Sequence, residues 1–336
     1  MKKPRVLLAI NRHWFPTLLS PVDLARLRET AHLLNEEAPL AADKTFLLEN
    51  LPGADVVLTS WDTAPLDAEV LARAPNLELV CHAAGSVRPV VSEALWERGI
   101  RVTSAAAAIS HGVAEFCLGL LLMASKRVFW LADGARRGQW MEPAPCFGGL
   151  FELYQQNVGV VGAGHIGKHL IQLLGNFGCR ILAYDPYLSD AQAAALGCER
   201  IDTLEELFGR CRAVSLNAPT NESTRHMLRG RHFAALPKGA VFINTAGGIQ
   251  IHEPEFLEEL RKGRFVACID RCEVEPCALD HPYRTLPNVI LTPHIAGVAA
   301  ENRLRIGTYA VAEVAAFADG RRLIHEVTRS DLATMA

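Results

Sequence analysis

The sequence predicts an α/β protein made of two doubly wound parallel-sheet units. Short apolar segments rich in Val, Ile and Leu alternate with helical patterns along the chain, in two separate series. Continuous apolar character of this kind is typical of strands buried on both faces of a parallel sheet. The length of 336 residues also favours two domains, because one domain usually takes about 150 residues.

The first series covers the N-terminal third of the chain. Its strands are predicted at 5–10, 55–59, 77–82 and 100–103. A helix is predicted over 22–35, where Ser20 supplies an N-cap and Pro21 occupies the first helical position. These elements predict one small α/β unit.

The second series begins after a helix predicted over 112–133 and an irregular stretch over 134–156. Its strands are predicted at 157–161, 180–184, 213–216, 240–244, 265–269 and 289–291, and this alternation with helices is typical of a doubly wound sheet. A last helix is predicted over 299–318. The remaining tail is too short for a domain, so we expect it to pack on the first unit and make that unit discontinuous.

Composition narrows the class of protein. Half of the residues are hydrophobic, 21% are charged and the formal net charge is −3, which excludes disordered, collagen-like and coiled-coil chains. This balance makes nucleic acid and membrane surfaces unsuitable partners. The longest uncharged apolar run, 116–124, is shorter than the roughly 20 residues of a membrane span. The nine cysteines form no C-x-x-C pair, and we expect a reduced, cytoplasmic protein without a metal site.

A glycine loop predicts a dinucleotide site. The predicted strand 157–161 leads into Gly162-Ala163-Gly164-His165-Ile166-Gly167, and a helix over 168–177 follows. The three glycines allow a tight turn, a close approach of pyrophosphate and close packing of helix on strand. Asp185 ends the next strand, where its carboxylate suits the ribose hydroxyls and repels a 2′-phosphate. The pattern therefore predicts NAD(H) as the cofactor, in preference to NADP.

Two loops predict a proton-transfer pair. His294 follows the last predicted strand, and Glu275 follows the preceding one, so both lie at the sheet edge where ligands bind. A carboxylate beside an imidazole orients the ring and favours its protonated form, which suits general acid–base chemistry. From the residues alone, a structural histidine and a surface carboxylate remain open. His165 and His169 have helical spacing for a metal pair, but a third ligand is not evident.

Taken together, these motifs resemble the D-isomer-specific 2-hydroxyacid dehydrogenase family. The resemblance covers nearly the whole chain and rests on segments that occur in the family's order: GAGHIG at 162–167 with YDP at 184–186, SLNAPTNEST at 215–224, LPKGAVFINTAGG at 236–248, IDRCEVEP at 269–276 and LPNVILTPHIAG at 286–297.

The resemblance implies two Rossmann-like domains. A flavodoxin-like substrate domain would comprise 1–108 and 299–336, and an NAD-binding Rossmann domain over 109–298 would be inserted into it. The family is usually homodimeric through the NAD domain, with a cleft that closes on the substrate. Its chemistry is reversible hydride transfer between nicotinamide and the carbonyl carbon of a small 2-oxo acid.

The resemblance also implies roles for individual residues. His294 matches the catalytic acid/base and Glu275 its carboxylate partner. Gly85, Ser86 and Val87 match the loop whose N–H groups hold the substrate carboxylate, and Arg88 follows them. The cofactor-binding residues would be Gly162, Gly164, His165, Ile166, Gly167, Asp185, Ala218, Thr224, Thr245, Ala246, Asp270, His294 and Gly297.

One departure concerns the family's third catalytic residue, an arginine in N-x-A-R-G. Gly247 stands at that position in Asn244-Thr245-Ala246-Gly247-Gly248. Such a guanidinium would hold the substrate carboxylate and polarise its carbonyl. Another cation could replace it, and Arg88 is expected rather than Arg271, because alternation along a strand should turn Arg271 away from the face that carries Asp270.

The absence of this arginine also has consequences for substrate and turnover. The substrate could carry a second anionic group such as phosphonate, with glycine making room. Alternatively, the protein could have lost turnover and act as an NAD(H)-binding regulatory or corepressor-like protein. The leading prediction is an NAD-dependent oxidoreductase that acts on a 2-oxo or 2-hydroxy acid or a close analogue, because both His294 and Glu275 are present.

Overall fold

The computed structural model describes residues 3–35, 40–140 and 149–335. The chain forms two compact units, Met1–Ile109 with Val298–Ala336, and Ser110–Gly297. Part of the irregular stretch predicted at 134–156 lies outside the described residues.

Thirteen strands and thirteen α-helices are assigned within the described residues. The strands are β1 (Arg5–Ala9), β2 (His32–Leu33), β3 (Val56–Thr59), β4 (Leu79–His82), β5 (Arg101–Ser104), β6 (Asn157–Val161), β7 (Arg180–Tyr184), β8 (Glu199–Arg200), β9 (Ala213–Leu216), β10 (Val241–Asn244), β11 (Val266–Ile269), β12 (Val289–Leu291) and β13 (Glu326–Val327). The helices are α1 (Phe15–Leu18), α2 (Pro21–Thr30), α3 (Lys44–Asn50), α4 (Ala68–Ala72), α5 (Glu93–Glu97), α6 (Ala106–Ser125), α7 (Val128–Arg136), α8 (His165–Leu174), α9 (Asp190–Leu196), α10 (Leu204–Arg210), α11 (Gly230–Ala235), α12 (Glu253–Arg261) and α13 (Ala300–Ala318).

The first unit contains a six-stranded sheet in the order β13-β5-β4-β3-β1-β2. Strands β1 to β5 are parallel to one another. Strand β13, near the C-terminus, pairs antiparallel with β5. Alternate side chains of β1 enter two separate cores, one shared with α1, α2 and α13 and the other with α3, α4 and α5. The parallel strand order is that of a flavodoxin-like sheet covered by helices on both faces.

The second unit contains a seven-stranded parallel sheet in the order β12-β11-β10-β9-β6-β7-β8. The chain reverses its direction of travel across the sheet between β6 and β9, and ligands bind outside such a switch point in open α/β sheets. A phenylalanine-rich core on one face packs α10, α11 and α12 against the strands. The two sheets confirm the predicted fold class of two doubly wound units.

The helix predicted over 112–133 is wrong in its boundaries and its continuity. The chain forms α6 and α7, and Arg127 between them adopts a left-handed φ of 56°. Its buried guanidinium donates to the carbonyl oxygens of Ala124 and Gly239, the latter at 2.6 Å. Because neither Gly nor Pro marks the break, local sequence did not predict it.

Helix α6 is longer than the uncharged run inside it. With 20 residues, it is long and apolar enough to span a membrane by length and composition alone. In the structure, 39% of an apolar 18-residue segment of this helix is buried inside the protein. The buried residues include Val113, Cys117 and Leu121. These residues show that the helix contributes to the core.

Candidate active site

The glycine loop joins β6 to α8 at the switch point of the second sheet. Gly162 has a φ of +92°, and a Cβ there would lie 2.7 Å from the backbone nitrogen of Ala218. A Cβ on Gly167 would lie 2.0 Å from the carbonyl oxygen of Gly162, so the helix packs directly on the loop. Gly164, at the start of α8, has no atom within 4 Å of such a Cβ. This open space at a helix N-terminus fits an approaching pyrophosphate.

Asp185 ties the glycine loop to the end of β7. Its Oδ2 accepts a hydrogen bond from the backbone N–H of Ala163 at 2.7 Å, and its Oδ1 accepts one from Tyr187 at 2.8 Å. The carboxylate therefore sits beside the loop, where its charge disfavours a 2′-phosphate. The surroundings fit a nicotinamide dinucleotide without that phosphate.

His165 and His169 of α8 lie near His111 of α6. His169 Nδ1 lies 2.8 Å from the Ser110 hydroxyl, and its ring stacks on His111 with 3.9 Å between centroids. Partial burial, and then the charges of His111 and His165, lower the pKa of His169. Within the described ranges, no group of three or more His, Cys, Asp or Glu side chains is arranged to hold a metal ion.

His294 and Glu275 lie in contact, although 19 residues separate them in sequence. They follow the neighbouring strands β12 and β11, and His294 Nδ1 lies 2.8 Å from Glu275 Oε2. The His294 side chain is 52% exposed and that of Glu275 is 31% exposed, so the pair is open to a ligand.

Glu275 carries a negative charge in this arrangement. Partial burial alone would raise its pKa, but the charge and hydrogen bond of Arg271, and then the charge of His294, hold the pKa below its ordinary value. An ionised carboxylate only accepts hydrogen bonds, so His294 Nδ1 donates to it. Nε2 is then the ring atom that can exchange a proton with a substrate.

Asp270 positions the loop that carries His294. The Asp270 side chain is buried at the end of β11 and accepts hydrogen bonds from the Thr292 hydroxyl and from the backbone N–H groups of Ile295 and Ala296, at 2.6, 2.9 and 2.9 Å. These bonds hold His294 in a left-handed conformation with a φ of 54°. The described contacts of the Asp270 carboxylate are therefore with the histidine loop.

The Gly247 loop is fixed by Asn244. The Asn244 side chain donates to the carbonyl oxygens of Gly247 and Arg271, at 2.8 and 3.1 Å. A Cβ on Gly247 would lie 2.7 Å from Thr220 Oγ1 and 2.9 Å from Gln250 Oε1. A side chain at this position would therefore have to displace two neighbouring side chains.

The other predicted cofactor residues lie on loops at the same sheet edge. Ala218 follows β9 and is almost fully buried, and the Thr245 hydroxyl after β10 lies 3.2 Å from Cys117 Sγ. The backbone N–H of Ala246 donates to Asn244 Oδ1, and the Thr224 hydroxyl donates to the carbonyl oxygen of Pro219. The hydrogen bonds described for Thr224 and Ala246 therefore stabilise the loops in which these residues lie.

The substrate residues predicted in the first unit differ in their surroundings. Val87 is fully buried in the core, and neither its side chain nor its backbone is exposed. The carbonyl oxygen of Gly85 accepts from Ser104, and Ser86 Oγ accepts from the backbone N–H of Arg88. The Arg88 guanidinium donates to the carbonyl oxygens of Leu332 and Met335, which does not support the prediction that it replaces the missing arginine.

The prediction that Arg271 faces away from the site was wrong. Its Nε lies 2.8 Å from Glu275 Oε1, so Arg271, Glu275 and His294 form one chain of contacts. The alternation rule fails because β11 ends at Ile269, and residue 271 already belongs to the following loop. Sequence reasoning also missed Asn244 and Thr292. The available signal was a polar side chain at the end of a strand for Asn244, and one directly after a strand for Thr292.

The fold and glycine loop define a dinucleotide-binding α/β protein. A family model described as "D-isomer specific 2-hydroxyacid dehydrogenase, NAD binding domain" matches residues 118–296. The chain is 32% identical over 293 residues to a glyoxylate reductase of Korarchaeum cryptofilum, covering 86% of each chain. A Thermus thermophilus protein called TT0316 has a solved structure similar to this one, with a TM-score of 0.76, 30% identity and coverage of 96% and 100%.

The chain belongs to the D-isomer-specific 2-hydroxyacid dehydrogenase family, whose members are NAD-dependent oxidoreductases. It is also 33% identical over 279 residues to a D-3-phosphoglycerate dehydrogenase of Methanocaldococcus jannaschii, and this match covers 83% of the chain. The chain spans only about half of that relative, 52% of its length. The matched part of the chain is the family's NAD-binding domain, so the cofactor is NAD.

Proposed function

We propose that this protein catalyses reversible hydride transfer between NAD(H) and a small 2-oxo or 2-hydroxy acid. The 2.8 Å contact between His294 and Glu275 carries this proposal. An NAD-binding protein needs no such pair for binding alone, whereas reduction of a carbonyl needs a proton donor at its oxygen.

The residues act as follows in the reduction direction. When bound, NADH supplies a hydride to the carbonyl carbon. His294 donates the proton on Nε2 to the carbonyl oxygen, and it keeps the Nδ1 proton in its bond to Glu275. The charge of Glu275 stabilises the protonated ring before transfer, and Asp270 holds the backbone of the histidine loop.

The glyoxylate reductase relative supports short 2-oxo acids as the first substrates to test. We also propose that residues 85–87 in the first unit bind the substrate carboxylate through backbone N–H groups, as the family resemblance implies. Gly85 and Ser86 are partly exposed, whereas Val87 is fully buried.

The test is NADH oxidation with a panel of glyoxylate, pyruvate, hydroxypyruvate and phosphonopyruvate. We expect turnover with at least one of these acids, and a loss of about 10²–10⁴ in kcat for His294→Ala, the usual contribution of a positioned acid. His32, an exposed histidine of the first unit, is a matched control as His32→Ala. Tight NADH binding without turnover across the panel would refute the proposal and favour a regulatory NAD(H)-binding protein.

A further inference from the structure

We propose that Arg271 is a specificity-determining residue that binds the carboxylate of the 2-oxo acid beside the His294–Glu275 pair. This inference rests on the proposed function. It assigns the anion-binding role to the first residue after Asp270, in a loop of the same unit that carries the acid/base histidine.

The geometry of the Arg271 side chain leaves part of its guanidinium available. Nε lies 2.8 Å from Glu275 Oε1, and the side chain is 30% exposed. Among the described residues, neither terminal nitrogen of Arg271 has a hydrogen-bond partner. One bond therefore anchors the guanidinium, while N–H groups remain for a planar anion such as a carboxylate.

The position of the guanidinium matches the chemistry of a 2-oxo acid. Arg271 and His294 contact the two oxygens of one carboxylate, that of Glu275, so they are held near each other. In a 2-oxo acid, the carboxylate is bonded directly to the carbonyl carbon. A cation adjacent to the proton donor can therefore hold the acid group while the carbonyl oxygen faces His294 Nε2.

Two alternative cations are already engaged. Arg88 donates to two carbonyl oxygens of the C-terminal segment. Arg225 makes two bonds to Glu222, at 2.8 and 2.9 Å, and lies 3.9 Å from Glu273. The space beside Gly247 is closed by Thr220 and Gln250, so this loop does not offer a vacant position for a longer side chain.

The experiment compares pyruvate with methyl pyruvate, its uncharged ester, in the full chain with NADH. We expect the native protein to prefer the acid, and Arg271→Gln to lower kcat/KM for pyruvate by about 10²–10³, the usual cost of losing a preorganised donor. Activity with the ester should also fall, because Arg271 bonds Glu275, but by less, since an uncharged group gains little from the guanidinium. The acid-to-ester ratio of kcat/KM should therefore drop by about tenfold or more. A purely structural role would lower both activities together.

Two further variants keep the test decisive. Arg271→Lys retains the charge and the ion pair with Glu275 but loses the planar fork, so we expect an intermediate fall in the acid-to-ester ratio. Arg210→Gln removes an exposed arginine from another ion pair of the same unit and should leave the ratio unchanged. If the ratio is unchanged in both Arg271 variants, or falls only in Arg88→Gln, the inference is overturned. Native protein without any 2-oxo acid turnover would instead refute the proposed function.

Discussion

At the scale of single residues, the site depends on side chains that are held by their neighbours. The Glu275 carboxylate uses one oxygen for Arg271 and the other for His294, and it also accepts the backbone N–H of Cys272 at 3.1 Å. These bonds keep the carboxylate oriented and charged. The imidazole therefore has one defined tautomer before any ligand arrives.

The first prediction concerns this orientation. Glu275→Gln keeps the size of the side chain but replaces the charged acceptor with an amide that can also donate. We expect kcat to fall by about 10²-fold because the protonated ring loses its stabilising charge. Steady-state kinetics of NADH oxidation, with NADH affinity measured by fluorescence, would check it. An unchanged kcat would show that His294 does not depend on Glu275.

The second prediction concerns His82, which lies at the end of β4 just before the 85–87 loop. Burial lowers its pKa to about 4 from 6.5, although a hydrogen bond with the Ser86 backbone opposes this shift. Its Nδ1 lies 2.9 Å from the Thr59 hydroxyl. The ring is therefore neutral in the folded protein, whereas in the unfolded chain it takes up a proton below its ordinary pKa.

The sign of the effect follows from this difference. Stability should fall as the pH drops from 6.5 towards 4, by at most about 3 kcal/mol, because only the unfolded state binds the extra proton there. Urea unfolding at pH 7.5 and pH 5 would measure the loss, and His82→Gln should reduce it. The exposed His32, changed to Gln, is the control. An equal loss in native protein and His82→Gln would contradict the prediction.

At the scale of elements, the glycine loop shows how one turn combines two requirements. Gly167 is needed for packing, because a Cβ would meet the backbone oxygen of Gly162 at 2.0 Å. Gly164 is open on that side, with nothing within 4 Å. The two positions therefore separate the stability of the loop from its binding of pyrophosphate.

The third prediction uses this contrast. Gly164→Ala should leave the melting temperature unchanged but weaken NADH binding at least tenfold, because the methyl group occupies the approach of the pyrophosphate. Gly167→Ala should lower the melting temperature, because helix α8 has to move. Differential scanning fluorimetry and NADH titration would measure both effects. Native NADH affinity in Gly164→Ala would refute the assignment of the glycine loop as the pyrophosphate site.

Six of the seven strands of the second unit could be predicted well, because each is a short run of mostly buried apolar residues. Strand β8 was not predicted, since it consists of two charged residues, Glu199 and Arg200. Strands β6, β7, β9 and β12 have the predicted bounds, and β10 and β11 begin one residue later than predicted. The short helices α3, α4 and α5 were missed, since each has at most seven residues and depends on one N-cap and on tertiary packing. Local periodicity carries little signal over such lengths.

The candidate site was predictable only as far as the strand ends were. The motifs placed His294 and Glu275 at one sheet edge, but the sequence could not show that their side chains touch. The orientation of the Arg271 side chain could not be predicted for a related reason, because residues in a loop do not alternate between two faces as they do in a strand. The contacts of Arg88 could not be predicted, because its partners, Leu332 and Met335, lie more than 240 residues further along the chain.

At the scale of the whole molecule, the first unit is built from two distant segments of chain. Helix α13 and the short β13 belong to it, although they follow the entire second unit in sequence. The connection between them is held by Glu313, a buried residue of α13. Its carboxylate accepts the backbone N–H groups of Ile324 and His325, both at 3.1 Å, and so directs the chain into β13.

The fourth prediction is that Glu313→Ala releases this C-terminal segment without affecting the cofactor site. Hydrogen bonds to a charged group contribute about 2 kcal/mol, and two backbone N–H groups would lose their acceptor. We expect faster proteolysis after Arg321 and Arg322, read by mass spectrometry of the products. NADH affinity should change by less than about threefold, because Glu313 belongs to the first unit and the glycine loop to the second. Glu301→Ala, at an exposed position of the same helix, is the control. Native protease resistance would show that Glu313 does not hold the segment. A parallel loss of NADH binding would show that the two units are energetically coupled, because the substitution lies entirely within one of them.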